Sequence, residues 1–191
     1  MKLRIVIVEP DPARARLVIE SLAPLGHDVT VIAESAALAR RVREIAPDIV
    51  LIDMADPSRD VLEEMALASD PLERPVAFFV DRTDRDMTRQ AIEAGVSAYV
   101  VAGLQPDRLA GVMDAAIARF QMFRRMRTEL ETTRRALEER KVIDRAKGIL
   151  MKARGISEDD AYALLRKTAM DQGRKVAEVA SALVTAAGLL S

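Results

Sequence analysis

The chain has 191 residues, half of them hydrophobic, with no cysteine, one histidine and a formal net charge of −1. This length admits one large or two small domains, and the missing cysteines exclude a disulfide framework and any thiolate metal site. No basic start leads into an apolar run and no apolar stretch approaches the roughly 20 residues of a membrane span, so a cytoplasmic protein with no membrane association is expected.

Five short apolar runs occupy the first half: LRIVIV from Leu3, DVTVI from Asp28, IVLI from Ile49, VAFFV from Val76 and AYVV from Ala98. They alternate with segments of helical period. Continuous apolar strands between helices predict a parallel sheet covered on both faces, an α/β doubly wound fold. Reactive groups in such sheets gather beyond the carboxyl ends of the strands, where Glu9 and Asp11 follow the first strand and Asp53 ends the third. His27, in a Pro-x-Gly-His turn, is expected at the surface before the second strand.

This pattern resembles the receiver domain of response regulators over residues 1–118, including Pro12 after the acidic turn and Pro57 four residues past Asp53. The resemblance implies that Asp53 stands at the phosphoacceptor position and that two adjacent acids after the first strand would bind Mg²⁺. Here Pro10 replaces the second acid, Val80 replaces the hydroxyl residue ending the fourth strand, and Ala102 and Gly103 stand at the lysine ending the fifth. Phosphoryl transfer works by positioning and charge neutralisation, so these losses remove much of the transition-state support. A pseudo-receiver is expected, with Mg²⁺ binding at Glu9, Asp11 and Asp53 weak at most, no other cofactor, and those three acids left as residual charge in a solvated loop. Its state would then be set by a protein partner.

From Pro106 the chain runs to Arg154 without another proline, which predicts one long helix. Leu109, Ala116, Phe123, Leu130 and Leu137 repeat every seven residues, with Met113 and Phe120 at companion positions until Arg127 and Arg134 take over. The repeat fits a coiled-coil connector over residues 106–140 and a homodimer formed through it. An amphipathic helix folded back on the first domain fits the same repeat.

Residues 141–191 read as three helices. Val142, Ala146, Ile149, Leu150 and Ala153 share one face of the first, Ala161, Leu164, Leu165 and Thr168 one face of the second, and Val176, Val179, Ala180, Leu183 and Ala187 one face of the third. Gly155 and Gly173 break the chain between them, and Ser157 with Asp160 forms a capping box that opens the second. Lys141, Arg145 and Lys152 make a basic stripe away from the first apolar face. Arg174 and Lys175 place two cations at the positive end of the third helix dipole, where either a phosphate or Glu178 one turn on would compensate them. Residues 119–191 hold 16 Lys+Arg against 10 Asp+Glu, while residues 1–118 hold 13 against 20. The split fits an acidic docking domain joined to a nucleic-acid-facing one.

The C-terminal segment resembles the ANTAR domain, the output module of the AmiR and NasT antitermination regulators. The matching residues are Ala146 to Gly148, Leu150, Met151, Gly155, Ser157, Glu158, Ala161, Leu165, Arg166, Ala169, Met170, and Arg174 with the Val-x-x-Val-Ala that follows Lys175. The resemblance implies binding of RNA stem-loops in a nascent leader transcript so that a terminator does not form. Arg145, Lys147, Lys152, Arg166, Arg174 and Lys175 would meet the phosphates, and Tyr162 is the one aromatic for base stacking unless it covers the helix edge. With the altered acidic site, the architecture is most similar to the NasT type, which implies a ligand-sensing partner protein for nitrate or nitrite and control of nitrate assimilation. The alternatives are a phosphorylation-dependent or DNA-binding response regulator, the latter because three short helices mimic a helix-turn-helix, and a protein-binding adaptor. No nucleophile-and-base pair or glycine-rich phosphate loop marks an enzyme.

Overall fold

The computed structural model describes residues 2–33, 38–55, 57–82, 85–101 and 103–189. The elements are β1 (Arg4–Val8), α1 (Pro12–Leu22), β2 (Asp28–Ile32), α2 (Leu38–Ile45), β3 (Ile49–Met54), α3 (Arg59–Ala68), β4 (Val76–Val80), α4 (Arg85–Glu93), β5 (Ala98–Val101), α5 (Pro106–Arg154), α6 (Glu158–Asp171) and α7 (Val176–Leu189). They form two compact units, Met1–Arg125 and Met126–Ser191, and the boundary between them in the sequence falls within α5.

In the first unit the five strands lie parallel in the order β2-β1-β3-β4-β5. Each strand falls on one of the five apolar runs, because a central parallel strand is buried on both faces and tolerates few polar residues. Side chains alternate across the sheet. Val6, Val8, Val50, Ile52 and Phe78 pack with Leu38, Val42 and Leu62 on one face. Ile5, Ile7, Ile49, Leu51 and Phe79 pack with Val18 and Leu22 of α1 and with Leu109, Met113 and Ala116 of α5 on the other. Asp53 has the parity of Ile49 and Leu51, which turns it toward the α1 and α5 side. The strand order reverses between β1 and β3, so the crevice at their carboxyl ends, where Glu9 and Asp53 sit, is the place such sheets reserve for chemistry. His27 is half-buried rather than at the surface, its Nδ1 accepting from the Leu3 N–H at 3.4 Å.

The long helix is continuous, and its first half packs into the first unit. Leu109 (1% exposed), Met113, Ala116 and Phe120 are buried in the first unit, so these repeats belong to its core and are not open to a second chain. The apolar repeat is exposed only from Phe123 onward, at Phe123, Leu130 and Leu137. Arg119 lies over the Phe123 ring at 5.6 Å and Arg124 over the Phe120 ring at 5.9 Å.

In the second unit the end of α5 packs with α6 and α7 around Ala146, Leu150, Ala161, Leu165, Ala169, Val179 and Ala180, with Val142, Leu164, Val176 and Leu183 at the margin. Ala153, expected on the buried face, is exposed. Gly155 ends that helix at φ +66°, a left-handed conformation glycine adopts without steric cost, and its N–H donates to the Met151 carbonyl at 2.9 Å. Ser157 caps α6: its Oγ accepts from the Asp160 N–H at 3.1 Å and donates to Asp160 Oδ2 at 2.7 Å. Among the described residues, no helix is long and apolar enough to cross a membrane.

Candidate functional site

Among the described residues, one charged cluster lies in the first unit and another on the surface of the second. The first is the crevice beyond β1 and β3. Glu9 follows β1 and Asp53 stands near the end of β3, and both are 2% exposed. Asp11 does something else. It caps α1, Oδ1 accepting from the Ala13 N–H at 2.7 Å and the Arg14 N–H at 3.3 Å, with Pro12 as the first helical residue.

This cap fixes the first turn of α1 and with it Arg14, whose guanidinium enters the crevice. Nη2 donates to Asp53 Oδ1 at 2.7 Å and Nε to Asp53 Oδ2 at 3.3 Å, a two-pronged contact on one carboxylate. Nε also lies 3.3 Å from Glu9 Oε2, and Nη1 lies 3.6 Å from Asp81 Oδ2 just past β4. One cation therefore serves three acids. Burial pushes the Glu9 carboxyl up to about 7, with the Asp53 carboxylate adding to the rise and the Asp11 N–H and Arg14 opposing it. Burial works against the Arg14 charge, but the bond to Asp53 overcomes it and the guanidinium is held above its ordinary range.

The expectation of residual charge in a solvated loop is corrected here. It describes Asp11, which is exposed, but Glu9 and Asp53 are buried and paired. Sequence reading missed Arg14, although its place three residues after an Asp-Pro cap puts it in the turn nearest the strand ends. Val80 ends β4 as expected, and Ala102 lies outside the described residues. Gly103 has φ +68°, and a Cβ there would sit 2.7 Å from Asp81 Oδ1, so glycine leaves the space into which Asp81 leans.

These residues do not fit Mg²⁺. The ion takes oxygen ligands in near-octahedral order, whereas Pro10 offers no carboxylate and the guanidinium contacts both buried acids. Among the described residues, no group of three or more His, Cys, Asp or Glu is arranged to hold a metal ion.

The second place is the C-terminal surface, where the expected cations divide into two sets. Lys147 is engaged: its Nζ lies 2.6 Å from both Asp144 and Glu158, and its side chain is 15% exposed. The Asp144 and Glu158 bonds raise its pKa. It ties α5 to the first turn of α6, which carries Glu158, Asp159 and Asp160 together. Arg174 Nε lies 3.4 Å from Glu178, the compensating partner that sequence left open against a phosphate. Lys141 pairs with Glu138 at 2.8 Å. Arg145, Lys152, Arg166 and Lys175 are exposed, and among the described residues no ion pair engages them.

Arg145 and Lys152 lie two helical turns apart on α5, and Tyr162 and Arg166 one turn apart on α6. A shallow groove of about 300 Å³ runs along α6, lined by Asp159, Tyr162, Arg166, Lys167, Met170 and Asp171. Tyr162 is 44% and Met170 72% exposed. Lys167 was not singled out from sequence, since its groove position follows only once Leu165 and Ala169 are known to face inward.

Lys147→Met is expected to lower the thermal midpoint of the C-terminal unit while leaving the salt dependence of any polyanion binding unchanged. A residue that contacts the polyanion shows the opposite split, a smaller salt slope at constant stability. Calorimetry with binding at three salt concentrations separates them.

Residues 131–184 match the family described as ANTAR domain. Over 187 residues the chain is 28% identical to the transcriptional regulatory protein PdtaR of Mycobacterium tuberculosis (strain ATCC 25618 / H37Rv), covering 97% of this chain and 91% of that protein. Over 61 residues it is 44% identical to a nitrate regulatory protein of Klebsiella oxytoca, covering 32% of this chain and 15% of that protein. The BeF3-activated receiver domain of Klebsiella pneumoniae RstA superposes with a TM-score of 0.52 at 22% identity, covering 60% of this chain and 97% of that domain.

Proposed function

From a C-terminal ANTAR domain carried behind a receiver-like fold, we propose that the protein is a transcription antitermination regulator that binds stem-loops in a nascent leader RNA. The observation that carries this reading is a set of exposed cations without carboxylate partners among the described residues, Arg145, Lys152, Arg166 and Lys175, on an ANTAR domain where Lys141, Lys147 and Arg174 are taken up by internal pairs. The α6 groove adds what RNA recognition requires beyond charge: the Tyr162 ring for a splayed base, with Arg166 and Lys167 for the adjoining phosphates.

Control comes from a ligand-sensing partner protein and not from phosphorylation. Both Asp53 oxygens are occupied by Arg14, which supports this reading. The Klebsiella oxytoca relative's name supports a role in nitrate assimilation. A homodimer forms through the part of α5 that leaves Phe123, Leu130 and Leu137 exposed, and two RNA-binding domains so linked raise each other's effective concentration on paired stem-loops. The transcript places the protein in the cytoplasm, and the regulatory names of the relatives support a regulator in place of an enzyme.

The test is a competition between a leader RNA hairpin and duplex DNA of the same length at equal salt, using the full chain. The RNA is expected to win by at least about tenfold, which corresponds to ~1.4 kcal/mol. Preference for the duplex would replace the antitermination reading with a DNA-binding one.

A further inference from the structure

We propose that the RNA contact extends beyond the α6 groove along α5, where a straight row of cations takes the phosphate backbone of the double-stranded stem below the loop. This inference rests on the RNA reading above and adds a second surface to it.

The starting point is a change in the heptad repeat. Met113 and Phe120 hold its companion positions inside the core of the first unit, and Arg127, Arg134 and Lys141 hold the next three. A seam between two helices wants apolar side chains at both of its positions, and cations there weaken it. A seam alone does not call for three in succession. The same line continues past the repeat, with Arg145 four residues beyond Lys141 and Lys152 seven beyond that. At about 3.6 residues per turn these side chains leave α5 within about 40° of one another, so they form one row.

The helix is unbroken from Pro106 to Arg154, which holds the row straight. From Arg134 to Lys152 it is about 27 Å long at ~1.5 Å per residue, enough to run beside most of a duplex turn. Glu138, on the same side, holds Lys141 at 2.8 Å, so the open charges are Arg134, Arg145 and Lys152. All three are exposed, and among the described residues no ion pair engages them. The packed side of this part of α5, at Val142, Ala146 and Leu150, lies about a third of a turn away from the row.

Chemistry decides which part of the RNA the row meets. Splayed loop bases stack on flat rings, and there is no aromatic residue from Arg127 to Lys152, whereas a stem is met through its shape and its regular phosphates. The groove with Tyr162 suits the loop, and the row suits the stem. Arg134 has Leu130 and Leu137 one turn away on either side, and its aliphatic chain is long enough to cover them while the guanidinium reaches water. The row is therefore compatible with an apolar seam beside it.

The experiment measures binding of the full chain, by fluorescence anisotropy over a range of salt concentrations, to two hairpins that share one leader loop but carry stems of about 4 and about 12 base pairs. The native chain is expected to bind the long-stem hairpin at least about tenfold more tightly and with the steeper salt slope. Arg134→Gln is expected to weaken long-stem binding about tenfold, to lower its slope by about 0.9 and to leave short-stem binding unchanged. Arg135→Gln removes the same charge from a different side of α5 and is expected to change neither. Sedimentation of Arg134→Gln is expected to match that of the native chain. Equal binding to both stems, or equal losses in the Arg134 and Arg135 variants, overturns the row while the RNA reading stands. An Arg134→Gln protein altered only in its association state also overturns it, and assigns the row to contact between copies of this chain. Failure of the native chain to bind either hairpin overturns the RNA reading and the row with it.

Discussion

Replacing Arg145 and Arg166 together by alanine is expected to weaken binding to a leader stem-loop about 100-fold at physiological salt and to reduce the slope of log K against log salt by about 1.5. The magnitude follows from their surroundings. Neither guanidinium is engaged by a carboxylate among the described residues, so each is free to form a charge-assisted bond to a phosphate, worth about 1.5–3 kcal/mol. Two such losses at the lower end amount to ~3 kcal/mol, or roughly two decades of affinity. Each phosphate contact also releases about 0.7–0.9 counterion, which sets the change in slope. Fluorescence anisotropy at four salt concentrations gives both quantities. A change under about threefold with an unaltered slope would mean that this surface does not face the RNA. Arg174→Ala is the internal comparison: Glu178 already holds that side chain, and its removal is expected to matter less.

The second large effect concerns the fold of the same unit. Ala161→Asp is expected to unfold residues 126–191 at 25 °C while the first unit keeps its own melting transition. Ala146, Ala161 and Ala180, contributed by α5, α6 and α7, are each 0% exposed, so the three helices meet through methyl groups. A carboxylate at position 161 has neither space nor a cationic partner, which costs on the order of 3–5 kcal/mol. A core this small supplies about that much in total, so nothing remains to hold the helices together. Differential scanning calorimetry would lose one transition, with a matching fall in helical circular dichroism and in RNA binding. Two unchanged transitions would show that the alanines are not the crossing point.

The strands were legible because a buried parallel strand is written as an unbroken apolar run, and Asp53 was placed because the third run ends in an acid. The helix ends were legible for a similar reason: Gly155, Ser157 and Gly173 each solve a local backbone problem that neighbouring residues reveal. Arg14 was not legible. Its meaning depends on the first turn of α1 lying over the end of β3, a relation that no local period records. The pairing of Lys147 was not legible for the same cause, since its partner Glu158 is eleven residues away across a turn. The heptad repeat was legible but ambiguous. A sheet and a second helix ask for the same apolar stripe, and Leu109, Met113 and Ala116 serve the sheet while Phe123, Leu130 and Leu137 remain exposed.

The lysine held between Asp144 and Glu158 has a consequence for how the sequence can vary. Exchange of Lys147 for a neutral residue would leave two anions facing each other beside the first turn of α6, a repulsion that exchanging the acids as well would relieve. The three positions should therefore mutate as a set across descendants of this chain, drifting in step although nothing in the linear order marks them as companions.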